Sequence, residues 1–478
     1  MKKKLIIAGI SVILVLSLVL AFAACNDTLS DGIFSEGVIA VQNEDGLWGY
    51  ADSNGDMAIG YQYYSATPFC NGVALVSYTS QGVTFLIDAE GNHLAGPYEE
   101  AGISEDGKWT VVTENVTLGS DYVGLYDNVN KTMKYDCVYD GIDVLENGYI
   151  VLEYAGYLSV VDPATGNTIV DSIDFGNGND SVVAEKIEGK WLITKTTTPA
   201  AEEGGADVVT YNVIDMTTGE QLSAAWDTID TQSDWTILQQ SAAETDSAKQ
   251  WAVMEDTILE IPNGESVQTK HDDSMLVTYS TVSHEGADAT GYTIYGKGGE
   301  VLHTGVNGVD DITWNGDHYY VCAYNAESGL TFMVFAGGVK YQPAITIPAG
   351  ATSVYPASIS VYEGAISFTL YVLTDETTEN GGTITQVKNM VMIGENTAEI
   401  PAEYTLVRVE NGKLILQAKN GRVGVFNTDM TAVTECIYTG AEVSESGYII
   451  VQMGTAYGVL AADGATVLDC VYSSILVA

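Results

Sequence analysis

The side chains best suited to chemistry here are carboxylates, and they are too many to be specific: 64 Asp and Glu against 18 Lys and Arg in 478 residues. Two carboxylates flanking a glycosidic bond can hydrolyse it, but at this density some close pair is unavoidable. His93, His271, His284, His303 and His318 are scattered, with no HExxH motif and no second His one helical turn away to hold a metal. There is no GxSxG elbow, no GxxxxGK[ST] phosphate loop and no dinucleotide fingerprint. No catalytic residue is expected, and the chain reads as a non-enzyme.

Two Gly turns carry clustered oxygen ligands of the kind calcium takes: Asp52-Ser53-Asn54-Gly55-Asp56 and Asp174-Phe175-Gly176-Asn177-Gly178-Asn179-Asp180. Neither has EF-hand spacing, and turn chemistry alone accounts for both. The expectation is therefore no metal and no cofactor, with Ca²⁺ as the alternative. The aromatics are more ordered. Trp48, Trp109, Trp191 and Trp235, with Tyr63, Tyr98, Tyr139, Tyr438 and Tyr472, return at fixed places in a repeating pattern. Exposed, such a series lines a continuous face for an extended partner; buried, it is core between repeats. These nine are the ligand-binding candidates.

What must position them is a recurring corner: an Asn, Asp, Glu or Ser, then usually Gly, then a β-forming apolar run. Ser446-Gly447-Tyr448-Ile449-Ile450-Val451 is the clearest copy; others are Glu36-Gly37, Asn71-Gly72, Asp106-Gly107, Asn147-Gly148, Glu188-Gly189, Asn315-Gly316, Glu363-Gly364 and Asn411-Gly412. Weaker copies stand at Ser233-Asp234-Trp235 and Asp273-Ser274-Met275. Gly supplies the positive φ of a tight turn, and the run after it suits a half-buried strand. A second run then ends in an Asp hairpin, as at Asp52, Asp88, Asp162 and Asp215, and a third closes on an aromatic. Room for a short fourth strand or a loop follows.

These signals predict an all-β fold of eleven tandem antiparallel β-meander units over residues 37–478, each about 35 to 48 residues long. That is the size of a β-propeller blade. Because eleven blades exceed the usual ring, two rings or an open β superhelix (solenoid) are the alternatives. Candidate seams are the polar stretches 196–205 and 374–382, which an extended hairpin loop explains equally well.

Five cysteines lie beyond Cys25, without a CxxC pair, so neither a disulfide framework nor a zinc site is indicated. Cys137, Cys436 and Cys470 each stand two residues before a Tyr, which suits a small buried residue. The net charge of −46 disfavours nucleic acid and anionic membrane surfaces, leaving cations, basic proteins or neutral glycans.

Residues 1–24 carry Lys2, Lys3 and Lys4 ahead of an apolar run that ends Phe22-Ala23-Ala24-Cys25, which has the layout of an export signal. Small residues before a Cys resemble the lipobox of bacterial lipoproteins. That resemblance implies cleavage before Cys25, lipidation of Cys25, and a tether over 25–36 holding the body at the outer face of a membrane. The stretch Gly46-Leu47-Trp48-Gly49-Tyr50-Ala51-Asp52, with Tyr63 and Phe69-Cys70-Asn71-Gly72-Val73-Ala74-Leu75-Val76, resembles the WG-containing repeat family. The likeness runs over 37–154 and 412–478, and it implies a bacterial repeat protein without fixing an activity. The expected function is a lipid-anchored, cell-surface binding scaffold for a glycan or a protein, from the cell wall or a host. A structural spacer or envelope assembly factor is the alternative, and a glycan hydrolase ranks below both.

Overall fold

The recurring corner adopts the geometry its residues dictate. Asn71 and Gly72 take φ of +47° and +68°, two successive left-handed residues that only a hairpin of the primed type accepts. Reciprocal backbone bonds between Cys70 and Val73, 2.8 and 3.1 Å, close the turn. In this computed structural model, which describes residues 33–477 apart from 81, 118–119, 146–147, 175–181, 201–206, 231–234, 241–248, 273–274, 310, 316–317, 326–328 and 378–382, the corner glycines from Gly37 to Gly447 keep positive φ. Strands open directly behind them at Val38, Ala74, Trp109, Ile150, Trp191, Ala365, Lys413 and Ile449. The corners at Ser233-Asp234, Asp273-Ser274 and Asn315-Gly316 fall wholly or partly outside the described residues, with strands beginning at Thr236, Met275 and Tyr319.

The fold is all-β, a succession of largely antiparallel sheets, most of them four-stranded, with no helix among the described residues. The chain divides into two compact units. The first takes the chain as far as Lys186, with Ile214–Gln221 and everything from Tyr438 onward; the second takes Ile187–Val213 and Leu222–Ile437. In the first unit, Ser474–Leu476, Val38–Gln42, Trp48–Asp52 and Met57–Tyr63 make one sheet. Ser65–Ala66, Ala74–Ser77, Thr84–Ile87 and His93–Tyr98 make the next, and Glu100–Ile103, Trp109–Thr117, Ser120–Asp127 and Thr132–Tyr139 another. Gly141–Val144, Ile150–Tyr154, Tyr157–Val161 and Thr168–Asp174 pair in order, as do Gly440–Val443, Ile449–Met453, Ala456–Leu460 and Thr466–Tyr472. The second unit contains four-stranded sheets over 228–261, 266–306, 312–341 and 351–399, and a three-stranded one over 404–426.

Sheets and sequence repeats are out of phase. The short strand behind the third-strand aromatic does not close its own repeat; it pairs forward, Ser65 with Ser77, Glu100 with Thr113 and Gly141 with Glu153. The copy at Ser474–Leu476 pairs instead with the sheet of Val38–Gln42, Leu476 opposite Ala40 and Ile475 opposite Val41. Ser473 joins in, its amide donating to Gln42 O at 2.9 Å and its hydroxyl at 3.0 Å.

Of the stretch expected to be a tether, 25–36, residues 25–32 lie outside the described residues. Ile33 and Phe34 are buried with Ile39, Val41, Val459 and Leu468, and the Ser35 hydroxyl donates to Phe69 O at 2.6 Å. Two apolar residues gain more by docking between sheets than by staying in water. Of the proposed seams, Thr196–Thr198 and Thr374–Thr377 extend the strands Trp191–Thr198 and Ala365–Thr377 as hairpin arms.

Second and third strands meet at a size-matched contact. The third strand bulges toward the second, and a Cβ on Gly49 would stand 2.7 Å from Ile59 O. Gly124 and Gly458 face Cys137 and Cys470 in the same way: a Cβ on either would stand 2.7 or 2.8 Å from that sulfur. Where Phe85 replaces the Gly, the opposing residue becomes Gly96, and Ser159 is met by Ser172, whose amide donates to its hydroxyl at 3.3 Å. No pair sets two large side chains against each other, as close packing demands. Burial raises the Cys137 thiol to about 11, so it is an inert filler.

Candidate binding surface

The structure corrects the aromatic assignment. Trp109, Trp191, Trp235, Tyr63, Tyr98, Tyr438 and Tyr472 are buried, while Trp48 and Tyr139 are half-buried against the same cores. All but Tyr438 belong to cores shared by neighbouring sheets, where a large apolar area is removed from water. Tyr63 packs edge-on to Tyr50 at 6.3 Å, and Tyr50 lies 4.8 Å from Phe69. Burial, then the neighbouring Tyr78, pushes the Tyr63 hydroxyl up to about 12, so it stays protonated. The nine predicted positions therefore form no open stacking face.

The acidic turns are occupied by their own backbone. Asp52 accepts from the amides of Asn54 and Asp56, both at 2.9 Å, and from Asn54 Nδ2 at 3.2 Å. Those bonds, the Asn54 amide first, hold its carboxyl below the usual range. Asp162 is lowered likewise by the Thr165 hydroxyl and the Ala164 amide, and Asp429 by Thr431. The oxygens read as calcium ligands at Asp52 thus cap a turn, while Phe175–Asp180 of the second candidate lie outside the described residues. Among the described residues, no three His, Cys, Asp or Glu side chains are grouped to hold a metal.

A cleft of about 440 Å³ opens where the corners at Asp106–Trp109 and Gly148–Tyr149 meet the turns at Asp127 and Asp162. Its charges are engaged: Lys108 pairs with Asp106 at 2.9 Å, and Asp127 takes Asn130 Nδ2 at 2.7 Å. The Tyr149 hydroxyl donates to Thr217 O at 3.2 Å. The cleft offers shape and apolar contact, with no group poised as acid, base or nucleophile.

Aromatics that the sequence pattern did not single out are exposed. Tyr78 and Tyr154 occupy the same place after Gly72 and Gly148, just beyond the ends of Ala74–Ser77 and within Ile150–Tyr154, and are 41% and 59% exposed. Each stands against the closing ring of the preceding repeat, Tyr78 at 5.2 Å from Tyr63 and Tyr154 at 6.1 Å from Tyr139. Phe85 and His93 stack beside Tyr78 at 4.6 Å, and the Tyr78 hydroxyl is hydrogen-bonded to His93 Nε2 at 2.9 Å. Tyr64 adds a further exposed ring, and Tyr157 sits opposite Tyr154 in the ladder. Their only sequence signal is a fixed offset from the corner.

The comparisons with known proteins reach one repeat of the chain by sequence and the rest only remotely. Residues 48–78 match the model of the WG containing repeat, spanning Trp48-Gly49, the Asp52 turn, Tyr63 and the next corner. No curated protein matches the chain. Among solved structures, a eukaryotic initiation factor aligns at 11% identity and TM-score 0.31, covering 92% of this chain and 96% of its own. The β-propeller domain of the Trilobed protease from Pyrococcus furiosus aligns at 10% and 0.18, covering 60% and 98%. PorZ, a surface component of the type-IX secretion system of Porphyromonas gingivalis, aligns at 11% and 0.20, covering 93% and 81%. Likeness this remote carries no argument about activity.

Proposed function

We propose that the chain is an extracytoplasmic binding scaffold of the bacterial surface, without catalytic chemistry, anchored by lipid on Cys25 and engaging a glycan or a protein through exposed aromatic rings. One observation carries the reading: Tyr78 and Tyr154, equivalent in two repeats, stand in water on top of core rings. A Tyr ring held rigid from beneath loses little freedom on binding and offers both an apolar face and a hydroxyl. The WG containing repeat at 48–78 and the export signal at 1–24 support the bacterial surface as its place. Residues 1–32, including Cys25, lie outside the described residues, and among the described ones no helix is long and apolar enough to cross a membrane.

The test is retention of the purified full chain on cell wall, on a set of polysaccharides and on secreted proteins. Binding to one class is expected, and failure on all three contradicts the reading. Recovery of a single stoichiometric envelope protein would favour the assembly-factor alternative. Labelling with a fatty-acid analogue tests the anchor separately: Cys25→Ala is expected to abolish the label and release the protein from the membrane fraction.

A further inference from the structure

The hairpin loops that follow Asp127 and Asp162 are built alike but for one residue. Asp127 lies opposite Thr132, and Asp162 donates its amide to Asn167 O at 2.9 Å, so each loop holds four residues, 128–131 and 163–166. In each, the Asp accepts the amide two residues on, Val129 at 3.0 Å or Ala164 at 2.9 Å. It also accepts a side chain three residues on, Asn130 Nδ2 or the Thr165 hydroxyl, both at 2.7 Å. The fourth residue has positive φ in both loops, Lys131 at +56° and Gly166 at +73°. A lysine therefore stands in one loop where the other has no side chain.

Lys131 reaches back to the corner of the preceding repeat. Its ammonium donates to Asn71 O, and a Cβ on Gly72 would lie only 2.9 Å from its Nζ. Gly166 sends nothing across, and a Cβ built on it meets no atom within 4 Å. The cleft of about 440 Å³ opens between this second loop, through Pro163 and Ala164, and the corner before it, through Asp106 and Lys108. Three carboxylates line it, those of Asp106, Asp127 and Asp162, against one lysine among the described residues, Lys108, which Asp106 holds at 2.9 Å. The donors to Asp127 and Asp162 are neutral, and no cation pairs with either among the described residues. Trp109, Val129 and Tyr149 add apolar wall on which the methylene stem of an amine can lie.

We propose that this cleft binds a primary alkylammonium group, which takes between these two repeats the place that Lys131 takes between the preceding two. The site goes beyond the surface-binding reading above and does not draw on Tyr78 or Tyr154. A neutral ligand would cover Asp127 and Asp162 without supplying a counter-charge, which costs their hydration. An anion is repelled by the chain's net charge of −46, and the same field draws an amine in. A free polyamine and the lysine side chain of a basic protein both carry the group.

The experiment is titration calorimetry of the full chain with cadaverine and with tetralysine at low and high salt. Saturable binding that weakens with added salt is expected. Gly166→Lys supplies the ammonium from within the chain and is expected to weaken binding about ten-fold. Gly166→Ala makes the same backbone demand without the ammonium, and is expected to leave binding unchanged. Val129→Lys, at a position 60% exposed on the cleft wall, is expected to weaken it about three-fold and serves if Gly166→Lys does not fold. Loss of cadaverine binding in these variants assigns the site to a free amine; loss of tetralysine binding alone assigns it to the lysine of a protein partner. Each lysine variant changes a net charge of −46 by one unit. Binding unaltered by both therefore means that the amines answer to overall charge, which overturns the site, as does a wild-type chain that binds neither amine. Either result leaves the reading of the exposed rings standing.

Discussion

Gly49 and Gly60 face each other's strands yet make opposite demands. A Cβ at Gly49 meets Ile59 O at 2.7 Å and Gly60 C at 3.0 Å, whereas one at Gly60 meets nothing within 4 Å. Gly49→Ala is expected to lower stability by roughly 1 to 3 kcal/mol, and Gly60→Ala to be neutral or raise it by up to about 1 kcal/mol. Denaturant midpoints of the two variants check both. The Asp turns make a pH-dependent case. Asp52 has its folded pKa depressed by the Asn54 and Asp56 amides, so its contribution is present above the unfolded pKa and lost as pH falls through the folded one. Asp52→Asn is therefore expected to lower the melting temperature at neutral pH, with the deficit shrinking as pH falls below the usual carboxylate range. Turn chemistry of this kind was legible in the sequence, because an Asp that caps its own loop and a Gly that reverses it are local requirements. The partner of Gly49 was not, since a bulge on the adjoining strand leaves no local mark.

Paired strands add constraints that single positions do not show. Gly141–Val144 and Ile150–Tyr154 place Asp143 and Glu153 diagonally on one face, Gly141 opposite Glu153 and Asp143 opposite Val151. Burial, then the charges of Asp143 and Asp140, raise the Glu153 carboxyl above its usual range. A raised folded pKa means that stability is fully present below the unfolded value and is lost as pH rises through the folded one. Glu153→Gln is expected to raise the melting temperature at pH 7 and to have little effect near pH 4, as scanning calorimetry at the two pH values can show. The second and third strands of each repeat were legible from apolar runs and their turns. The short strands were not: Ser65–Ala66 has two residues and no pattern, and only its pairing with Ala74–Ser77 shows that it opens a new sheet. The aromatic series failed for a related reason, because a periodic Trp or Tyr has the same spacing whether it faces core or water.

Ser474–Leu476 completes the sheet of Val38–Gln42, so strands more than 430 residues apart in sequence are paired within the first compact unit. Ending the chain at Tyr472 removes Ser474–Leu476 and bares the edge of Val38–Gln42. An uncovered apolar edge invites pairing with another copy. The truncated protein is expected to melt lower and to self-associate with rising concentration, as light scattering would detect; unchanged melting and a monomer would show that the pairing contributes little. Period and turn chemistry made the succession of sheets foreseeable, but the surface that meets a partner depends on which rings the packing leaves in water. Tyr78 and Tyr154 are among the rings left out, and the account turns on them. Its most direct measurement is ligand retention and melting temperature of the Tyr78→Ala, Tyr154→Ala double variant beside those of the unaltered chain. Weakened retention with nearly unchanged melting is the expected result; full retention with a lowered melting temperature would show that these rings serve the fold and not a partner.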